Sequence, residues 1–313
     1  MQTLRSGLLT GLRTTWTLGK IIFPITLITT ILDYTPIIGW LSDQLSPFMG
    51  YIGLPGEAAI PLLLGNVMNL YAAIGAIISL DMTVKEVFII AIMLSLSHNL
   101  LVECAVTKRM GAKIWVTLVV RVGSALLVGM LINLIWQGGD QKALFGLLPD
   151  TEAIAAEHWG AILWIALTKS AMGVVQLAII VIPVMIFIQV LKDLRWLDRF
   201  ASALHPATRL IGLEKKSSVT IASGFLFGLA YGAGVMIQAV KEDEVRRKDL
   251  YLVVIFLSAC HAVVEDTLIF VPPGIPVWPL LLIRFIIASF LTFSVARVWN
   301  YMEKRRSAPG SFT

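Results

Sequence analysis

Six apolar runs dominate the chain: Ile21 to Leu41, Val87 to Val106, Ile114 to Trp136, Ala161 to Leu191, Leu250 to Phe270 and Pro276 to Trp299. Each supplies the ~20 residues that a helix needs to cross a bilayer. Hydrocarbon offers no partner for a free backbone amide or carbonyl, so spans of this length close their hydrogen bonds internally as helices. The fold class that follows is all-α integral membrane. Composition agrees: 57% of residues are hydrophobic and 14% charged, against roughly half and a quarter in soluble domains.

The chain also repeats itself. Pro24, Leu32, Leu45, Pro47, Ile52, Gly53 and Leu54 recur 159 residues later as Pro183, Leu191, Leu204, Pro206, Ile211, Gly212 and Leu213. At an offset of 163, Gly65, Ser95, His98, Gly111, Trp115, Arg121 and Ala125 recur as Gly228, Ser258, His261, Gly274, Trp278, Arg284 and Ala288, and Glu103 meets Asp266. Each half reads as one span, a Gly- and Pro-marked apolar stretch (Pro55 to Leu80; Ser217 to Val240) and two further spans. The marked stretches either cross fully or enter and return as helical hairpins.

Charge placement favours the hairpins. With both stretches re-entrant and a cytoplasmic amino terminus, 20 of the 25 basic residues lie on the cytoplasmic side, and Lys85 and Lys142 lie outside with an acidic loop. That is the bias expected of cytoplasmic loops. Three crossings per half then insert the second half upside down relative to the first, the inverted-repeat plan of many secondary transporters. The expected division is an interfacial amphipathic helix over 1–18, a first repeat over 19–137, an extracytoplasmic loop over 138–157, an inverted second repeat over 158–300 and a cytoplasmic tail over 301–313, with both termini cytoplasmic. Arg5, Arg13 and Lys20 ahead of an apolar run superficially match a signal peptide, but the repeat uses that run as a span, so it is expected to be retained.

Several classes are excluded. A net charge of +5 beside membrane spans reports orientation rather than a nucleic-acid partner. Cys104 and Cys260 give no disulfide framework. No phosphate loop or His-Glu-x-x-His occurs, and no nucleophile stands at a spacing that orients a base, so the chain does not read as an enzyme.

Ionisable residues within spans call for a partner or a purpose. His98 and His261 each fall twelfth in a span, near the midplane. His261 and Glu265 are four apart and share a helix face, with Cys260 and Asp266 adjacent, whereas His98 and Glu103, five apart, should diverge by about 140°. Their functional reading is a proton or cation relay or a substrate pair. Their structural reading is hydrogen bonding to the broken hairpin backbones. Arg121 and Arg284 are expected to pair with Glu103 and Asp266. Asn66, Asn69 and Glu57 in the first hairpin, with Ser217 and Ser218 opposite, are candidate solute contacts. Cys260, His261 and Glu265 are the candidates for a metal.

The stretch Gly53 to Asn66 (Gly-Leu-Pro-Gly-Glu-Ala-Ala-Ile-Pro-Leu-Leu-Leu-Gly-Asn), with the Ser-x-x-His span after it, resembles the nucleoside-recognition or Gate domain. Concentrative nucleoside transporters, the membrane part of ferrous-iron transporter B and the spore-maturation membrane proteins share that domain. The resemblance covers residues 18–130 and, more faintly, 178–295, and is greatest to the stand-alone members. It implies a transport role: a secondary transporter of a small polar, nucleoside-like solute, coupled to H+ or Na+, with no other cofactor. Divalent metal transport through the same centre and a non-transporting scaffold with a membrane partner or a second copy are the alternatives.

Overall fold

A computed structural model describes residues 2–144, 158–194, 199, 202, 206, 215–228, 234, 237, 246–270 and 275–307. The elements are α1 (Gln2–Asp33), α2 (Pro36–Met49), α3 (Ala59–Val67), α4 (Leu70–Ser79), α5 (Val84–Leu96), α6 (Leu100–Met110), α7 (Ile114–Leu118), α8 (Ser124–Ile135), α9 (Trp159–Asp193), α10 (Lys215–Phe227), α11 (Arg247–Ala259), α12 (Glu265–Leu268) and α13 (Val277–Ser307). A π-helical turn, Val119–Gly123, joins α7 to α8. Among the described residues, five helical segments are long and apolar enough to cross a membrane, six if one bent pair counts.

The first span differs from expectation at both ends. Residues 1–18 form no separate surface helix, because α1 runs unbroken from Gln2 to Asp33. Its buried face carries Gly7, Gly11, Thr15 and Gly19, a small residue every fourth position, which lets two helices approach closely. A Cβ on Gly7 would lie 2.7 Å from Ile186 Cα, and one on Gly11 2.9 Å from Ile182 Cα. Ascending positions on α1 therefore meet descending positions on α9, and the two helices run antiparallel. The span stops at Asp33 rather than at Leu41 because Thr35 caps α2, accepting from the Ile37 amide at 3.4 Å, with Pro36 in the first turn. Proline suits that position, where its missing N–H costs nothing.

The Gly53-Leu54-Pro55-Gly56 segment turns the chain by 84° between α2 and α3. Gly53 adopts φ +73°, and a Cβ on Gly56 would sit 2.0 Å from the Ser42 carbonyl oxygen, so both glycines are demanded by the corner. Helices α3 and α4 then fold back on each other: a Cβ on Gly65 would lie 3.1 Å from Ala73 Cβ, whereas eight residues of straight helix span ~12 Å. At nine and ten residues, each limb reaches about half the ~30 Å hydrocarbon thickness. The return limb expected in the second half falls largely outside the described residues, as do residues 145–157 of the expected loop, the basic residues Arg195, Arg209 and Lys241 counted on the cytoplasmic side, and the end of the tail.

The centre of the protein is the span Val84–Met110. Of its most apolar window 78% is buried, against 28% for each of the other four. It is not a straight helix. α5 ends at Leu96, Ser97 leaves helical geometry, Asn99 takes φ +51°, and α6 starts afresh at Leu100. The second half breaks in the same place: α11 begins and ends 163 residues after α5, and Ala262, with φ +44°, corresponds to Asn99. Every residue of α11 from Asp249 to Ala259 is buried. The expected straight span Leu250 to Phe270 is thus a 13-residue helix, a break and the four-residue α12.

Candidate functional site: two broken helices and their histidines

The breaks exist because another strand of backbone takes their hydrogen bonds. In the first half the Asn99 amide donates to Gly65 O at 2.8 Å, at the tip of the α3–α4 hairpin. Ser97 Oγ donates to Asn66 Oδ1 at 2.7 Å, and Asn66 Nδ2 donates to Leu62 O at 2.8 Å. In the second half the Ala262 amide donates to Gly224 O at 3.1 Å and the Val263 amide to Phe225 O at 2.8 Å. The counterpart of Gly65 is therefore Gly224, not Gly228. A Cβ on Gly65 would lie 2.4 Å from Leu94 Cδ2 and one on Gly224 2.6 Å from Leu257 Cδ1, so the four-residue insertion follows Gly224.

Each break carries a histidine. His98 Nδ1 donates to Leu94 O and His261 Nδ1 to Leu257 O, both at 2.7 Å. A carbonyl can only accept, so the proton is on Nδ1 and each Nε2 carries a lone pair when the ring is neutral. The rings lie 5.4 Å apart, centroid to centroid. Both Nε2 atoms face the same two carboxylates: Glu103 Oε1 is 3.0 Å from His261 Nε2 and 3.5 Å from His98 Nε2, and Asp266 Oδ2 is 3.8 Å and 3.9 Å away. All four side chains are buried.

Two fully buried arginines frame this centre. Arg121 pairs with Glu103 and donates from Nη2 to His98 O at 2.6 Å and from Nη1 to Ser258 O, in the other half, at 3.1 Å. Arg284 Nη2 donates to His261 O at 2.6 Å and to Asp266 Oδ2 at 3.1 Å. The carbonyls freed by the breaks thus receive charged donors, as backbone away from water requires.

The expected angular separation of His98 from Glu103 fails, because helical arithmetic does not carry through a residue at φ +51°. Nor does Glu265 join His261. It turns instead toward α4, where Tyr71 Oη donates to Glu265 Oε1. The space beside this pair is about 10 Å³, room for about one water. Tyr71 was not a candidate, and no local signal could have found a contact 194 residues away in sequence. Cys260 is buried and free, but among the described residues the three ligand-type atoms that lie within 4.8 Å of one another belong to His98, His261 and Asp266.

The hairpin residues are placed apart from the centre or engaged locally. Asn69 caps α4, accepting from the Ala72 amide at 3.0 Å, and Glu57 Oε2 accepts from Ser42 Oγ at 2.5 Å. Asn66 engages Ser97, the residue before His98. Ser217 and Ser218 are buried on α10, which packs against α11.

Comparison with known proteins follows this geometry. Residues 15–113 and 174–271 match the family described as Gate, nucleoside recognition, one match in each half. Over 295 residues, 94% of either chain, the sequence is 54% identical to a Bacillus subtilis (strain 168) protein titled uncharacterized membrane protein YvoD. No solved structure matches.

Proposed function

The chain belongs to the Gate family of membrane proteins, and on that footing we propose that it is a proton-coupled secondary transporter of a small polar solute, with the histidine pair as its proton station. The observation that carries the reading is the contact between His261 Nε2 and Glu103 Oε1 at 3.0 Å. Two lone pairs do not face each other at that distance without a proton between them. His98 Nε2 stands 3.5 Å from the same oxygen, so the proton can pass from the histidine of one half to that of the other by way of Glu103. The antiparallel α1 and α9 and the matched breaks support halves related by inversion, which would exchange conformations around this point.

A divalent metal ion as cargo is the second reading, favoured by donor atoms of His98, His261 and Asp266 within 4.8 Å of one another. Charge argues against it. Arg121 and Arg284 already balance Glu103 and Asp266, and the solvation cost of a buried ion grows with the square of its charge, so an added +2 costs about four times an added +1.

Proteoliposomes enclosing a pH-sensitive dye separate these readings. Uridine or adenosine added outside should acidify the lumen, and His98→Gln or His261→Gln should abolish the signal. Uptake of Mn2+ or Zn2+ with no movement of protons would overturn the proton reading in favour of metal transport. Absence of flux with every solute and ion would overturn transport and leave a scaffold.

A further inference from the structure

The third spans of the two halves turn their arginines inward and leave a cleft between their outer faces. Across that cleft α7–α8 and α13 run antiparallel, Val119 and Val120 lying near Val295 at one end and Trp136 near Pro276 at the other. The apolar part has a volume of about 1020 Å³ and includes Gly123, Leu127, Ile283 and Phe290. It opens at Val119, Val120 and Val295 into a second hollow of about 680 Å³ whose rim carries Lys113, Arg247, Trp115, Trp299 and Glu303. From Lys113 to Trp136 is ~35 Å of helix, enough to cover the hydrocarbon thickness.

We infer that this cleft binds an anionic glycerophospholipid, its phosphate at Lys113 and Arg247 and its acyl chains along the α8–α13 groove. Three features of the cleft support that occupant. Polarity is confined to one end, as in the molecule it would hold. The rim has two cations against one carboxylate, Glu303, which accepts from Trp299 Nε1 at 2.9 Å, so a net positive charge faces the headgroup. Among the described residues Lys113 and Arg247 make no ion pair, and Trp115 and Trp299 stand where indole rings favour the membrane–water boundary. Basic pockets between spans on the cytoplasmic side are the usual seats of anionic headgroups, and the charge count puts Lys113 and Arg247 on that side. The π-helical turn and Gly123 keep the groove open: a Cβ on Gly123 would meet nothing within 4 Å.

The inference is independent of proton coupling, since it concerns the opposite face of the same helices. Native mass spectrometry of the purified protein, exchanged into detergent with phosphatidylglycerol or phosphatidylcholine, reads it directly. Phosphatidylglycerol should be retained at one copy per chain and phosphatidylcholine at least tenfold less. Lys113→Gln with Arg247→Gln, both exposed and remote from the core, should remove the preference for the anionic lipid. Gly123→Trp, whose Cβ would meet nothing within 4 Å and whose indole would occupy the groove, should displace both lipids while the melting temperature holds. Equal retention of the two lipids, or insensitivity to both variants, overturns the inference. So does a dimer in the spectrum that Gly123→Trp dissociates with lipid retention unchanged, which would make a second copy the occupant.

Discussion

Replacing Arg121 with methionine tests how the centre is held together. The guanidinium is fully buried, pairs with Glu103, and donates to His98 O and Ser258 O. Methionine keeps most of the volume and none of the donors. Breaking a buried pair by removing one partner costs ~3–5 kcal/mol, and each of two buried carbonyls left without a donor adds ~1–3 kcal/mol. The sum is roughly 5–11 kcal/mol, with the lower half expected because Glu103 can take up a proton. The nine tryptophans give a fluorescence signal for unfolding by SDS in mixed micelles. The double variant Arg121→Met, Glu103→Gln should recover about 2–4 kcal/mol of the loss, because a neutral amide no longer needs the counter-charge. A single-variant loss under about 1 kcal/mol, or strict additivity in the double variant, would refute the reasoning.

Three further outcomes are expected. Gly56→Ala drives a methyl group into the Ser42 carbonyl and should cost ~1–3 kcal/mol of stability in the same SDS titration. Gly7→Leu and Gly11→Leu each push α1 off α9, and should lower the melting temperature in detergent by several degrees. A cysteine placed at Lys142 should react with a membrane-impermeant maleimide in intact cells, and one placed at Lys108 only after the membrane is permeabilised. Lys142 belongs to a cluster with Asp81, at 2.7 Å, near Lys85, whose Nζ donates to Asn133 O, so a Lys85 cysteine should label with it.

Residue spacing revealed the architecture further than the centre. The repeat register paired His98 with His261, Arg121 with Arg284 and Glu103 with Asp266, because such residues rarely coincide by chance in apolar sequence. The extent of α1 was misread although the signals are local: Thr35-Pro36 is a helix start, and the small residues at 7, 11, 15 and 19 mark a packing seam that passed for one face of a surface helix. The breaks at Asn99 and Ala262 were not readable. Asparagine tolerates positive φ but does not demand it, alanine gives no hint of it, and the cause lies in amides donated to Gly65 and Gly224 from distant hairpins. Helix-face geometry assumed through those breaks therefore misplaced Glu103 and Glu265. The same blindness put the insertion before Gly228, since only contact with Leu94 and Leu257 tells equally spaced glycines apart.

Glu103 and Asp266 occupy matched positions yet differ by one methylene, and Glu103 reaches within 3.0 Å of a histidine while Asp266 stops at 3.8 Å. Were the two halves chemically identical, their two exchanged arrangements would be mirror states of equal energy. The halves differ elsewhere too, but at the centre a single carbon helps remove that degeneracy. In the exchange proposed above, the resting protein then favours the arrangement that keeps the longer carboxylate on its imidazole, so it waits with its access path open toward one side of the membrane. Swapping the two acids, Glu103→Asp with Asp266→Glu, should shift that preference toward the other arrangement without adding or removing a charge.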